Sequence, residues 1–189
     1  VNKKLAFALS GSAVLVLALS GCGDDKNDKL DSWAKTFCGD VQPQVKKIEG
    51  ANDAIQKQTS DTSAPADVQK TDSKAFQDLS DAYKGMASAV TKAGAPPVDD
   101  GEKTKNDAVK ELNSISASYA DLKKRVDALN VKDQAKFADG LKDVATRLGK
   151  ISQNGNRALD KLQSGDVAKA MKDQESCQNA SPAATASPS

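Results

Sequence analysis

Apolar side chains recur along this chain at alternating steps of four and three, the spacing of one face of an α-helix. The clearest seam is Ala108, Leu112, Ile115, Tyr119, Leu122, Val126 and Leu129, with Lys105, Lys110, Glu111, Asp121, Lys123 and Lys124 on the other faces. A second runs Phe137, Leu141, Val144, Leu148, Ile151, Gly155, Ala158 and Leu162; Asn154-Gly155-Asn156 is its weak point, where a break or kink is expected. A third is Phe76, Leu79, Tyr83, Met86 and Val90. The earliest seam, Leu30, Trp33, Phe37, Val41, Val45, Ile48 and Ile55, is interrupted by Pro43, which predicts a kink or a restart with Asp40 as a new cap. No segment shows convincing strand alternation.

Breakers divide these seams into four helices. "TSDTSAPAD" (59–67) separates the first two, "GAPPVDDG" (94–101) the next pair, and the last join is tight, around Asn130 to Asp133. A short fifth helix is expected after Gly165, capped by Asp166, with Val167, Ala170 and Met171 turned inward. Four amphipathic helices with short joins predict an all-α fold, an antiparallel up-down four-helix bundle over 30–177 with a short fifth C-terminal helix. Each seam ends in breakers after a few turns, which favours a bundle within one chain over a coiled coil between chains.

The two ends read differently. Lys3 and Lys4 precede an apolar run from Leu5 to Leu19, about fifteen residues and short of the roughly 20 that cross a bilayer. Leu19-Ser20-Gly21-Cys22 resembles a bacterial lipobox, which implies a lipoprotein signal peptide over 1–21 and a diacylglyceryl group on the Cys22 sulfur, palmitate being one such chain. Residues 22–29, rich in Asp and Lys, are expected to form a lipid-anchored, solvated tether. Residues 178–189, built of Ala, Ser, Pro and Thr, are expected to be a disordered tail; Asn179-Ala180-Ser181 fits a glycosylation pattern that means little in a bacterial chain.

Charge and composition then narrow the function. Of 27 basic residues Lys3 and Lys4 fall in the signal segment, leaving 25 against 26 acidic ones, a balance that gives no reason to expect nucleic acid as a partner. The chain has no histidine, which excludes His-based acid–base or nucleophile chemistry and imidazole metal sites. Of three cysteines, lipid on Cys22 leaves Cys38 and Cys177 as an even pair in an oxidising compartment. In an up-down bundle Cys38 lies roughly 12 Å up the first helix and Cys177 roughly 16 Å up the fifth, so a Cys38–Cys177 disulfide closing the domain is expected.

Candidate chemistry is sparse. Ser32-Trp33-Ala34-Lys35 fits S-x-x-K and Ser152-Gln153-Asn154 resembles the second motif of the penicillin-recognising serine enzymes, but the K-T-G strand that completes their site is absent. Asp99-Asp100-Gly101-Glu102 lacks the ordered ligand spacing of a calcium loop and reads as a solvated turn capping the next helix. The aromatic residues after the signal segment all fall on the seams, as core. The lipobox, the Trp33 to Cys38 start, the heptads, "SGDVAKAMKDQESC" and the Ser/Ala/Pro tail together resemble the small secreted lipoproteins of actinobacteria such as Streptomyces. That resemblance carries across no catalytic residue, cofactor or metal. The expectation is a monomeric, non-enzymatic helical module on the extracellular face of the cytoplasmic membrane. It would be held by lipid on Cys22 and meet an envelope protein or ligand not identified by the sequence. The alternatives are a helical carrier of a small apolar ligand and a Ser/Lys hydrolase built on Ser32 and Lys35.

Overall fold

The computed structural model describes residues 24–58, 63–154, 162 and 164–178. Among them the chain is all helix, with no strand: α1 (Asp24–Gln58), α2 (Pro65–Ala93), α3 (Gly101–Asp127), α4 (Gln134–Asn154), α5 (Gly165–Lys172) and α6 (Glu175–Gln178). The lipobox, Gly155 and Ala158 of the second seam, and the tail beyond Gln178 lie outside the described residues.

The contacts between helices run in opposite registers. Early α1 meets late α2, where the Trp33 indole N–H donates to Gly94 O at 2.9 Å and Lys92 Nζ lies 2.9 Å from an Asp40 carboxylate oxygen. Early α2 meets late α3, where the Gln69 side-chain amide donates to Val126 O and Leu129 O at 2.9 and 3.0 Å. Val126 O, which also accepts the Leu129 N–H at 3.0 Å, belongs to the last turn of α3, so Gln69 braces the end of α3 from a neighbouring helix. Farther along the same interface Ser80 Oγ donates to Ser116 O at 2.9 Å in a buried position. Arg125 near the end of α3 reaches Asp143 in the middle of α4 at 3.9 Å.

Each join has a local cause. Pro65 starts α2 and holds Ala64 extended, as a proline does to the residue before it. Gly94 ends α2 at a φ of 77°, a conformation side chains resist. Asn130 Oδ1 accepts the Lys132 N–H and Asp133 Oδ1 accepts the Lys136 N–H at 3.1 Å, so a turn and a side-chain cap together start α4.

Expectations about helix starts are corrected in both α1 and α5. Helix α1 runs unbroken through Pro43, with no restart at Asp40. Pro43 and Gly39 are both exposed, so the Gly39 carbonyl that loses its donor faces solvent, while Asp40 pairs with Lys92. Helix α5 starts at Gly165 after an extended Ser164, which places Asp166 inside the first turn rather than at the cap. There its charge still suits the helix N-terminus. Residues 24–29, expected as a tether, are the first turns of α1; Lys26, Asn27, Asp28 and Lys29 are nonetheless exposed.

The core forms two apolar clusters stacked along the bundle. One joins Trp33, Phe37, Val41, Val90, Leu112 and Leu162, with Val167 and Ala170 of α5 packed into it. The other joins Ile48, Phe76, Leu79, Ile115, Leu122 and Val144. Most described seam positions fall in or against these clusters; Leu129, Phe137 and Leu141 do not. Helix α4 meets the bundle chiefly along α3, burying Phe137 and Val144 while Leu141, Leu148 and Ile151 stay half-buried.

Candidate functional site

The lipidation candidate, Cys22, lies outside the described residues. The other two cysteines are joined: Cys38, fully buried on α1, bonds Cys177 on α6 with 5.0 Å between their Cα atoms. The break between α5 and α6 at Asp173-Gln174 was not anticipated, yet the bond forms. It pins the C-terminal helices over the Trp33–Phe37 stack, whose ring centres lie 5.2 Å apart.

Ser32 and Lys35 are both exposed on α1, and the Ser32 carbonyl accepts the Thr36 hydroxyl. Ser152-Gln153-Asn154 ends α4, and its side chains lie outside the described residues. In the acidic turn, Asp99, Asp100 and Glu102 are exposed, and Glu102 pairs with Lys105 at 2.6 Å. Asp100 precedes α3 in the left-handed conformation and its side chain makes no cap hydrogen bond, so the expected capping by this turn is not seen. Among the described residues no group of His, Cys, Asp and Glu is arranged to hold a metal ion.

Tyr83 and Tyr119 stack across the α2–α3 interface with ring centres 5.5 Å apart. Burial raises both phenol pKa values, with the neighbouring Tyr83 adding to the effect on Tyr119. Both stay protonated at neutral pH and act as core, as the seams indicate.

Sequence reading missed Asp72. It sits buried on α2, and loss of hydration pushes its carboxyl up to about 6. The signal was present: Asp72 stands four residues before Phe76, on the same seam, where an apolar residue would be expected. Because the folded pKa lies above the ordinary 3.8, folding favours the protonated form, and stability falls as pH rises from about 4 to about 6. Asp72→Asn should therefore stabilise the fold at pH 7 by about 1 kcal/mol, allowing for solvent screening, and leave it unchanged at about pH 3.5. Urea midpoints of both forms across that range check this; equal midpoints at pH 7 would count against it.

Between α3 and α4 an open groove of about 450 Å³ has Glu111 and Asp121 on one rim and Arg147 and Lys150 on the other. Its apolar floor is Ile115, Leu122 and Ile151, but Ile115 and Leu122 are only 5% and 1% exposed. A small apolar molecule would find little surface there to cover. Neither Ser32 nor Lys35 lines it.

No helix among the described residues is long and apolar enough to cross a membrane. No family model, curated protein or solved structure matches this chain.

Proposed function

We propose that this chain is a lipid-anchored, extracytoplasmic helical module that binds an envelope partner and performs no chemistry of its own. The observation that carries the reading is the Cys38–Cys177 disulfide. Bonds of this kind form and persist outside the reducing cytosol, and this one uses both cysteines other than Cys22. The cysteine left over sits where the lipobox resemblance puts an acyl group. The buried apolar rows, the exposed Ser32 and Lys35, and the buried floor of the α3–α4 groove support binding through the outer surface.

Expressing the full chain in a lipoprotein-processing bacterium tests this. The membrane fraction should hold the protein, its first peptide should carry the mass of a diacylglyceryl group on Cys22, and Cys22→Ser should move it to the soluble fraction. An unacylated Cys22 would overturn the anchoring. Cross-linking from membranes should then recover a partner with the lipidated form, and failure with both forms would count against the binding role.

A further inference from the structure

Helix α1 begins at Asp24, two positions after Cys22, and continues without interruption to Gln58. Whatever path residues 22–24 take, two residues span at most about 7 Å, so Cys22 cannot be farther than that from the start of α1. From Asp24, at about 1.5 Å per residue, Trp33 lies about 14 Å along the helix and Gln58 about 51 Å. The helix is no free stalk: from Leu30 onward its buried face packs into both core clusters, so the whole bundle moves with it.

We infer that the domain is held short and in one polarity, with the Trp33 end toward the lipid and the α3–α4 turn as its far tip. The inference rests on the lipid reading of Cys22. The end toward the membrane comprises the start of α1, where residues 26–29 are exposed, and the α2–α3 loop, which is hydrogen-bonded to Trp33. The C-terminus of the helical domain leaves from the same half, because the disulfide ties α6 to Cys38. The far tip comprises the end of α1, the first turns of α2 with Gln69, and the turn at Asn130–Asp133. The exposed charges of α1, among them Lys26, Asp28, Lys29, Asp31, Lys35, Lys46, Lys47, Glu49, Asp53 and Lys57, mix both signs along it. That pattern gives an anionic surface no uniformly basic face to hold flat. Gln58, at the end of α1, lies no more than about 60 Å from the lipid surface, adding the about 7 Å joint to the helix length. The partner of this module is accordingly one fixed to, or extending to within that distance of, the same membrane.

Trp33 is the chain's one tryptophan and reports the geometry directly. The acylated full chain is placed in phosphatidylcholine–phosphatidylglycerol vesicles carrying a dansyl-labelled phosphatidylethanolamine, and energy transfer from tryptophan to dansyl is measured. Transfer from Trp33 should be strong, and inserting a flexible Gly/Ser linker of about ten residues between Gly23 and Asp24 should lower it at least about twofold. A Trp33→Phe, Lys132→Trp form, with its tryptophan on the exposed tip, should transfer several-fold less than the natural chain. Transfer that the linker leaves unchanged, or that the tip matches, would overturn the polarity. The linker leaves every domain residue in place, so that comparison stands even if losing the Trp33 N–H loosens the fold. Mass spectrometry of the same sample separates the two ideas, since an unacylated Cys22 would instead overturn the anchoring and this inference with it.

Discussion

Replacing Cys38 and Cys177 together by alanine should lower the stability of the domain by about 2–5 kcal/mol. The bond joins residues separated by 139 positions, so in the unfolded chain it closes nearly the whole domain into one loop. Loop-closure entropy puts the gain near 5 kcal/mol for a loop of that size, and residual structure in the unfolded chain reduces it. The loss should concentrate at the C-terminal end. Helices α5 and α6 span eight and four residues, too short to persist alone, and the bond holds α6 to α1. With them released, Trp33, Phe37 and Leu162 lose their cover. Guanidinium unfolding, with and without reductant, measures the change, and amide exchange should show α5 and α6 opening before α2 and α3. Equal midpoints for the two forms would refute the structural role. Thiol titration gives a simpler check: the denatured, unreduced Cys22→Ser protein should show no free thiol, and two would mean that the bond is absent.

How much of this was legible in the sequence depends on which interaction decides each feature. The helices were legible because their buried rows are long and regular: Phe76, Leu79 and Val90, or Ala108, Leu112, Ile115, Leu122 and Val126, are the residues that water is excluded from. The disulfide was legible because lipid on Cys22 leaves an even pair, and helix rise in an up-down bundle places Cys38 and Cys177 at similar heights. Pro43 misled because its cost depends on which face it occupies, and an exposed proline leaves its orphaned carbonyl to solvent. The partners of Asp40 and Gln69 were not legible: Lys92 lies 52 positions away and Val126 57, and no local pattern encodes such pairs. Asp72 was legible and overlooked, a carboxyl on an apolar row. The site itself stayed dark for a different reason. A surface that recognises a partner needs no fixed spacing of reactive groups, and Lys and Asp side by side on exposed helices look the same whether or not they bind anything.

The second large effect concerns one methyl group. Gly101→Ala should destabilise the domain by about 1–3 kcal/mol. Gly101 opens α3 and is buried, and a Cβ there would collide with the carbonyl oxygen of Pro96. A flexible side chain could step aside, but that oxygen is backbone, and it already accepts the Val98 N–H at 2.8 Å. Pro96 is itself among the most deeply buried residues, its ring held by neighbours on every side. The Gly101 N–H donates to Val98 O at 3.1 Å, and Asp100 before it is already left-handed, so the turn has no slack from either direction. Yielding would pull the loop off Trp33, whose indole is bonded to Gly94 at its start. The same substitution at Gly50 is the control. Gly50 lies inside α1 with nothing within 4 Å of a new Cβ, so Gly50→Ala should stabilise by about 0.5–1 kcal/mol through helix propensity. Urea midpoints of the two variants should therefore move in opposite directions, and a shift of Gly101→Ala in the same direction as Gly50→Ala would show that the loop is free to give.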